Sequence, residues 1–100
     1  MTTVTIGGKE YKMVANLGAM VSMEVLNEGV PDEHGIRKNL GNILACLYGG
    51  DPNCGLTPED LMMQIDSLEK FNELKAAMEA EFARFTKANE QTKEDPTEGN

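Results

Sequence analysis

One hundred residues make a single domain, with room for one modest hydrophobic core and none for a second. With 17 acidic residues against 9 basic ones the net charge is −8, which disfavours nucleic-acid backbone and anionic membrane as partners and leaves a basic partner open. No apolar run approaches the roughly 20 residues of a bilayer span, no basic-then-apolar leader opens the chain, and Cys46 and Cys54 form no disulfide framework, so an intracellular, reducing setting is expected.

The stretch from Thr3 to Gly29 reads as a tight β-hairpin running directly into a helix. Gly7-Gly8 fits a two-residue turn whose central positions need positive φ, and that turn fixes the register: Ile6 opposite Lys9, Thr5 opposite Glu10, Val4 opposite Tyr11. Val4, Ile6, Tyr11 and Met13 then share the core face, while Thr3, Thr5, Glu10 and Lys12 face water. A lone hairpin of this length is unstable in water, so a helix must lie across its apolar face.

Asn16 is the expected N-cap of a first helix over Leu17 to about Glu28, with Gly29 as a left-handed stop. Leu17, Met20, Val21, Met23, Val25 and Leu26 cover most of its circumference. Such a helix is either sandwiched between the hairpin and later helices or meets a partner. Val30 to Gly35 is a connector in which Asp32 could cap an early start of the second helix. Ile36, Leu40, Ile43, Leu44 and Leu47 form one continuous stripe, which predicts that helix to run to about Tyr48, ended by Gly49-Gly50-Asp51-Pro52-Asn53. Gly41 inside it marks a close neighbour or a locally weak turn.

Thr57-Pro58-Glu59-Asp60 combines a capping hydroxyl, proline at the first helical position and two carboxylates on the first turn. A short third helix to about Ile65 is expected there, with Leu61, Met62 and Ile65 inward. Asp66 or Ser67 caps a fourth helix to about Asn89, on which Leu68, Phe71, Leu74, Met78, Phe82 and Phe85 form one stripe. At 1.5 Å per residue its far end is expected to overhang, making Phe82 and Phe85 a partner surface. The domain is thus residues 1–89, and 90–100 is an acidic tail expected to be disordered. The fold class is mainly α with an N-terminal β-hairpin packed on a bundle of about four helices.

No catalytic or cofactor-binding constellation is legible. His34 lies beside Asp32 and Glu33 with no nucleophile at a telling spacing, and Cys46, Cys54 and His34 are too sparse for structural zinc. The glycine pairs match no phosphate-cradling loop, and no acidic stretch has the pattern of a calcium loop, so no metal and no cofactor are expected. Seven methionines suit either a surface that adapts to a variable partner or gap-filling in a small core. Met62 and Met63, being adjacent, cannot both face the same core.

VTIGGKEYKM followed by LGAMVSMEVLNEG resembles the opening of the small tail assembly chaperones of long-tailed phages and gene transfer agents. LGNILACLYGG and LTPEDLMMQIDSLEKFNELKAAM are similar to the later helices of that family, so the likeness spans about Val4 to Phe85. The connector Gly49 to Gly55, Cys54 within it and the acidic tail depart from the pattern. The resemblance implies a non-enzymatic protein of the bacterial host cytoplasm that coats the helical tape-measure protein, keeps it from aggregating and helps recruit tail-tube protein, with a homo-oligomer as a further expected state. Met20, Met23, Met63, Phe82 and Phe85 are the expected partner-binding residues, by helix-in-groove packing. The alternative is an acidic inhibitor that mimics nucleic acid against a host enzyme; interspersed acids and bases on the fourth helix blur such a pattern.

Overall fold

The computed structural model describes the backbone of residues 2–94 and the side chains of residues 2–87. Strands β1 (Thr2–Ile6) and β2 (Lys9–Met13) pair antiparallel in the register set by the Gly7-Gly8 turn, where φ is 60° and 82°. Ile6 and Met13 are buried, Val4 and Tyr11 half-buried, and Thr3, Thr5, Glu10 and Lys12 exposed, as the alternation requires. Lys9 shares the core side but stays at its rim, its ammonium 5.5 Å from the centre of the Tyr11 ring.

Helix α1 (Leu17–Leu26) begins where the Asn16 side chain accepts the Ala19 N–H at 2.8 Å, and it gives way to a turn two residues before the expected Glu28. Helix α2 (Gly35–Gly50) is the element on which α1, β2 and the two later helices all pack. It starts at His34 without a side-chain cap, because Asp32 pairs instead with Lys38 at 2.5 Å. Leu40, Ile43, Leu44 and Leu47 are buried along the predicted stripe, and Cys46 is enclosed beside it. Gly41 has the close neighbour its position implied: the Asn27 side chain lies where a Cβ would be, donating to Asn42 Oδ1 at 2.9 Å.

Gly49 and Gly50 correct the expected boundary. They belong to the last turn of α2, and the end of β2 runs so close that a Cβ on either would collide with the Val14 or Lys12 carbonyl oxygen. The Val14 N–H bonds the Cys46 carbonyl at 3.0 Å and the Asn16 amide donates to the Gly49 carbonyl at 3.3 Å, so the strand exit and the α1 cap are both seated on this turn.

Helix α3 (Pro58–Gln64) opens with a reciprocal capping box between Thr57 and Asp60. Ser67 caps helix α4 (Leu68–Glu94) by accepting the Lys70 N–H at 3.1 Å. The helix continues five residues past the expected Asn89 into the segment assigned to a tail; residues 95–100 of that tail lie outside the described residues. Phe71, Leu74 and Met78 close the core over α2, with Leu61 of α3 fully enclosed.

One carboxylate is buried here that the sequence did not single out. Glu81, 4 % exposed, accepts the Thr2 hydroxyl at 2.5 Å and pairs with Arg84, tying the start of β1 to α4. Burial pushes its pKa up, but the Thr2 hydrogen bond, the N-terminal ammonium charge and the Arg84 charge together outweigh this and hold it below the usual carboxylate value. A native pKa below the unfolded one stabilises the fold above the unfolded value of about 4.3, and that contribution disappears as pH falls through the native pKa. Glu81→Gln should therefore cost about 1 kcal/mol at neutral pH, less than a fully buried charged pair because Arg84 is itself exposed. The difference in melting temperature between the two proteins should close below about pH 4; a constant difference down to acid would refute the ionic role.

Candidate docking surface

The groups with most chemical potential are set apart from one another. His34 is exposed at the start of α2, and among the described residues no cluster of His, Cys, Asp and Glu is arranged to hold a metal. Cys46 is fully enclosed, and burial, with the Glu81 charge adding, pushes its thiol up to about 12. Cys54 sits half-buried in the connector between α2 and α3. A thiol reagent at neutral pH should label Cys54 alone in the native protein and reach Cys46 only on unfolding. Equal labelling rates would mean that the core opens around α2 far more readily than its packing allows.

Large apolar side chains lie on the surface in two groups. The first is the outer stripe of α1, where Leu17, Val21 and Val25 are 73 %, 59 % and 65 % exposed at spacings of i, i+4 and i+8. Ala19 is buried and Leu26 half-buried on the opposite face, which packs against α2. The sandwiched arrangement is thereby corrected: α1 is covered on one side, and its second apolar face meets solvent.

The second group surrounds an open apolar groove of about 230 Å³ where the start of α2, the end of α3 and the start of α4 converge. Leu40, Ile65 and Phe71 form its floor, and Ile36, Met62 and Leu68 stand on its rim. All three rim residues were expected in the core. They are exposed because three helix ends meet at this corner and no element of the described residues lies across them. A neighbouring cleft carries Glu33, His34 and Arg37, and the Arg37 guanidinium is turned aside to the Leu26 carbonyl at 3.2 Å. Glu33, Asp66 and Glu69 near this corner make no ion pair among the described residues.

The five residues expected to bind a partner are scattered. Met63 is 84 % exposed on α3, pointing away from the groove beside Met62. Met20 is at the edge of the α1 stripe and Met23 is half-buried. Phe82 and Phe85 do not overhang: both are half-buried and pack against the core, on the stretch of α4 that meets the hairpin. An acidic substitution at either would test folding and not docking. Leu17, Val21 and Val25 could have been found, since α1 is apolar nearly all round; nothing in the sequence separates Ile36 or Leu68 from the buried members of their stripes. Comparison with protein-family models, with curated proteins and with solved structures gives no match to this chain.

Proposed function

We propose that this chain is a tail assembly chaperone of a long-tailed phage or prophage, which holds apolar helical segments of a tape-measure protein, keeps them soluble and helps recruit tail-tube subunits. The observation that carries the reading is the open groove between α2, α3 and α4, with Ile36, Met62 and Leu68 presented on its rim. A helix with a narrow apolar stripe is the natural occupant of a groove lined by helix ends, since it satisfies its own backbone and offers side chains alone. The net charge of −8, with Glu33, Asp66 and Glu69 near the groove and outside any ion pair of the described residues, favours a client helix whose polar face is basic.

The energetics suit a contact that must later be released. Fully burying an aliphatic side chain is worth about 1.5–3 kcal/mol, and three partly exposed rim residues give a few such units, most of which offsets the entropy of association. Methionine at the rim adapts to different client side chains along a long helix. The chemistry asked of the protein is contact alone, without a covalent step.

Co-expression with a tape-measure protein of a long-tailed phage tests this reading. The tape-measure protein should move from the pellet to the soluble fraction when this chain is present. Unchanged solubility, together with salt-sensitive competition against DNA for a nucleic-acid enzyme, would favour the acidic inhibitor instead.

A further inference from the structure

We propose that the outer edge of β1 is a docking site for an extended segment of another protein, uncharged at its centre and flanked by basic residues, which joins the hairpin as a third, antiparallel strand. This edge is separate from the groove, and the inference stands without the proposed function.

Hydrogen bonding across the hairpin is the first reason. In an antiparallel pair, facing residues alternate between those that exchange both backbone bonds and those that exchange none. The two-residue turn makes Ile6 and Lys9 the first bonded pair, so Val4 with Tyr11 and Thr2 with Met13 follow, and the residues between them direct their N–H and C=O groups out of the sheet. On β2 that outward side is sealed by the last turn of α2: the Lys12 carbonyl lies against Gly50, and just beyond the strand the Val14 N–H reaches the Cys46 carbonyl. On β1 it is open. Thr3 and Thr5 are exposed, and the N–H and C=O of neither are hydrogen-bonded among the described residues. Helix α4 lies beneath the sheet and not beside it, since the Thr2 hydroxyl that reaches Glu81 belongs to the same inner face as Ile6.

The chemistry of the edge selects the occupant. Two N–H and two C=O groups, from residues two apart, match the backbone of an extended chain, whereas a helix spends its own groups internally and offers none. Edges that must stay unpaired commonly carry a charge, a proline or a bulge; Thr2–Ile6 has none of these and is rich in β-branched residues. Residues of the added strand that face Thr3 and Thr5 share their solvent side, where threonine against threonine is a favourable pair, and the residue between them points inward beside the half-buried Val4. The pattern read is thus polar, apolar, polar. Net charge separates a second copy from a foreign strand: the copy brings another −8 to the contact, whereas a strand with basic flanks is attracted to the domain.

The probe is the blocked peptide acetyl-Lys-Thr-Val-Thr-Lys-amide, used at millimolar concentration because a few backbone bonds only just offset the entropy of association. In NMR spectra of the full chain, the amide signals of Thr3 and Thr5 should shift and their hydrogen exchange should slow several-fold at saturation, while the Val4 N–H, already bonded to Tyr11, changes little. A peptide N-methylated at both threonines should do neither. Thr5→Val should respond as the parent does, because the backbone is what is read. Thr5→Pro, which removes only an outward N–H, should melt close to the parent and lose most of the response. The N-methylated peptide makes the same comparison on the unaltered chain, whether or not Thr5→Pro folds. Exchange at Thr3 and Thr5 unmoved by the peptide, equal effects of the two peptides, or slowing that grows with protein concentration in the absence of peptide would overturn the assignment, the last because a second copy would then hold the edge.

Discussion

Gly49→Ala and Gly50→Ala should each destabilise the protein by about 3 kcal/mol in urea titration, the reverse of the gain of up to about 1 kcal/mol that alanine gives inside most helices. Neither glycine has a positive φ, so intrinsic propensity alone predicts stabilisation. The sign is decided by what lies outside the helix. A methyl at Gly49 meets the Val14 carbonyl oxygen and the Ala19 side chain, and one at Gly50 meets the Lys12 carbonyl and Cβ. Backbone atoms held by the Val14 to Cys46 hydrogen bond cannot swing aside as the end of a long side chain could. To make room the strand end must lift off α2, which also strains the Asn16 contact that seats the start of α1. A gain, or a change within about 0.5 kcal/mol, would mean that the hairpin can slide over α2 at little cost.

The second large effect is expected at Leu44. This side chain is wholly enclosed at the middle of α2, the helix that α1, β2, α3 and α4 share, so Leu44→Ala opens a cavity that no single neighbour can fill by moving. A loss of about 2–5 kcal/mol is expected. Small domains are stable by only about 5–15 kcal/mol, so at the upper end of that loss a large unfolded fraction should be visible at physiological temperature. Ile36→Ala, on the same helix and the same stripe but 62 % exposed, should change stability by less than about 0.5 kcal/mol. The contrast between the two, read from thermal melts, separates the core part of the stripe from the part left facing solvent. Equal losses would place Ile36 under cover and remove the groove.

Local features of this fold were readable in the sequence because local chemistry specifies them. The Gly7-Gly8 turn imposes a single register on the hairpin, and the Asn16, Thr57 and Ser67 caps each arise from a side chain reaching an N–H three residues on. What periodicity could not supply is coverage. Ile36, Met62 and Leu68 repeat in phase with Leu40, Ile65 and Phe71, and only the meeting of three helix ends decides that the first set is left outside. The same limit misplaced Phe82 and Phe85. The length of α4 suggested an overhang, but the hairpin packs against that part of the helix, and its position depends on close approach at Gly49 and Gly50, which read as a simple helix stop. Glu81 escaped notice because its partner Thr2 is 79 residues away in sequence.

The most direct test of the docking surface is Leu68→Asp. Leu68 is 72 % exposed on the groove rim, so the variant should fold and melt like the parent while a charge stands where a client helix would pack. The soluble amount of a co-expressed tape-measure protein should fall from the level seen with the parent chain to the level seen with none. Full retention of solubility by Leu68→Asp, at an unchanged melting temperature, would contradict the account.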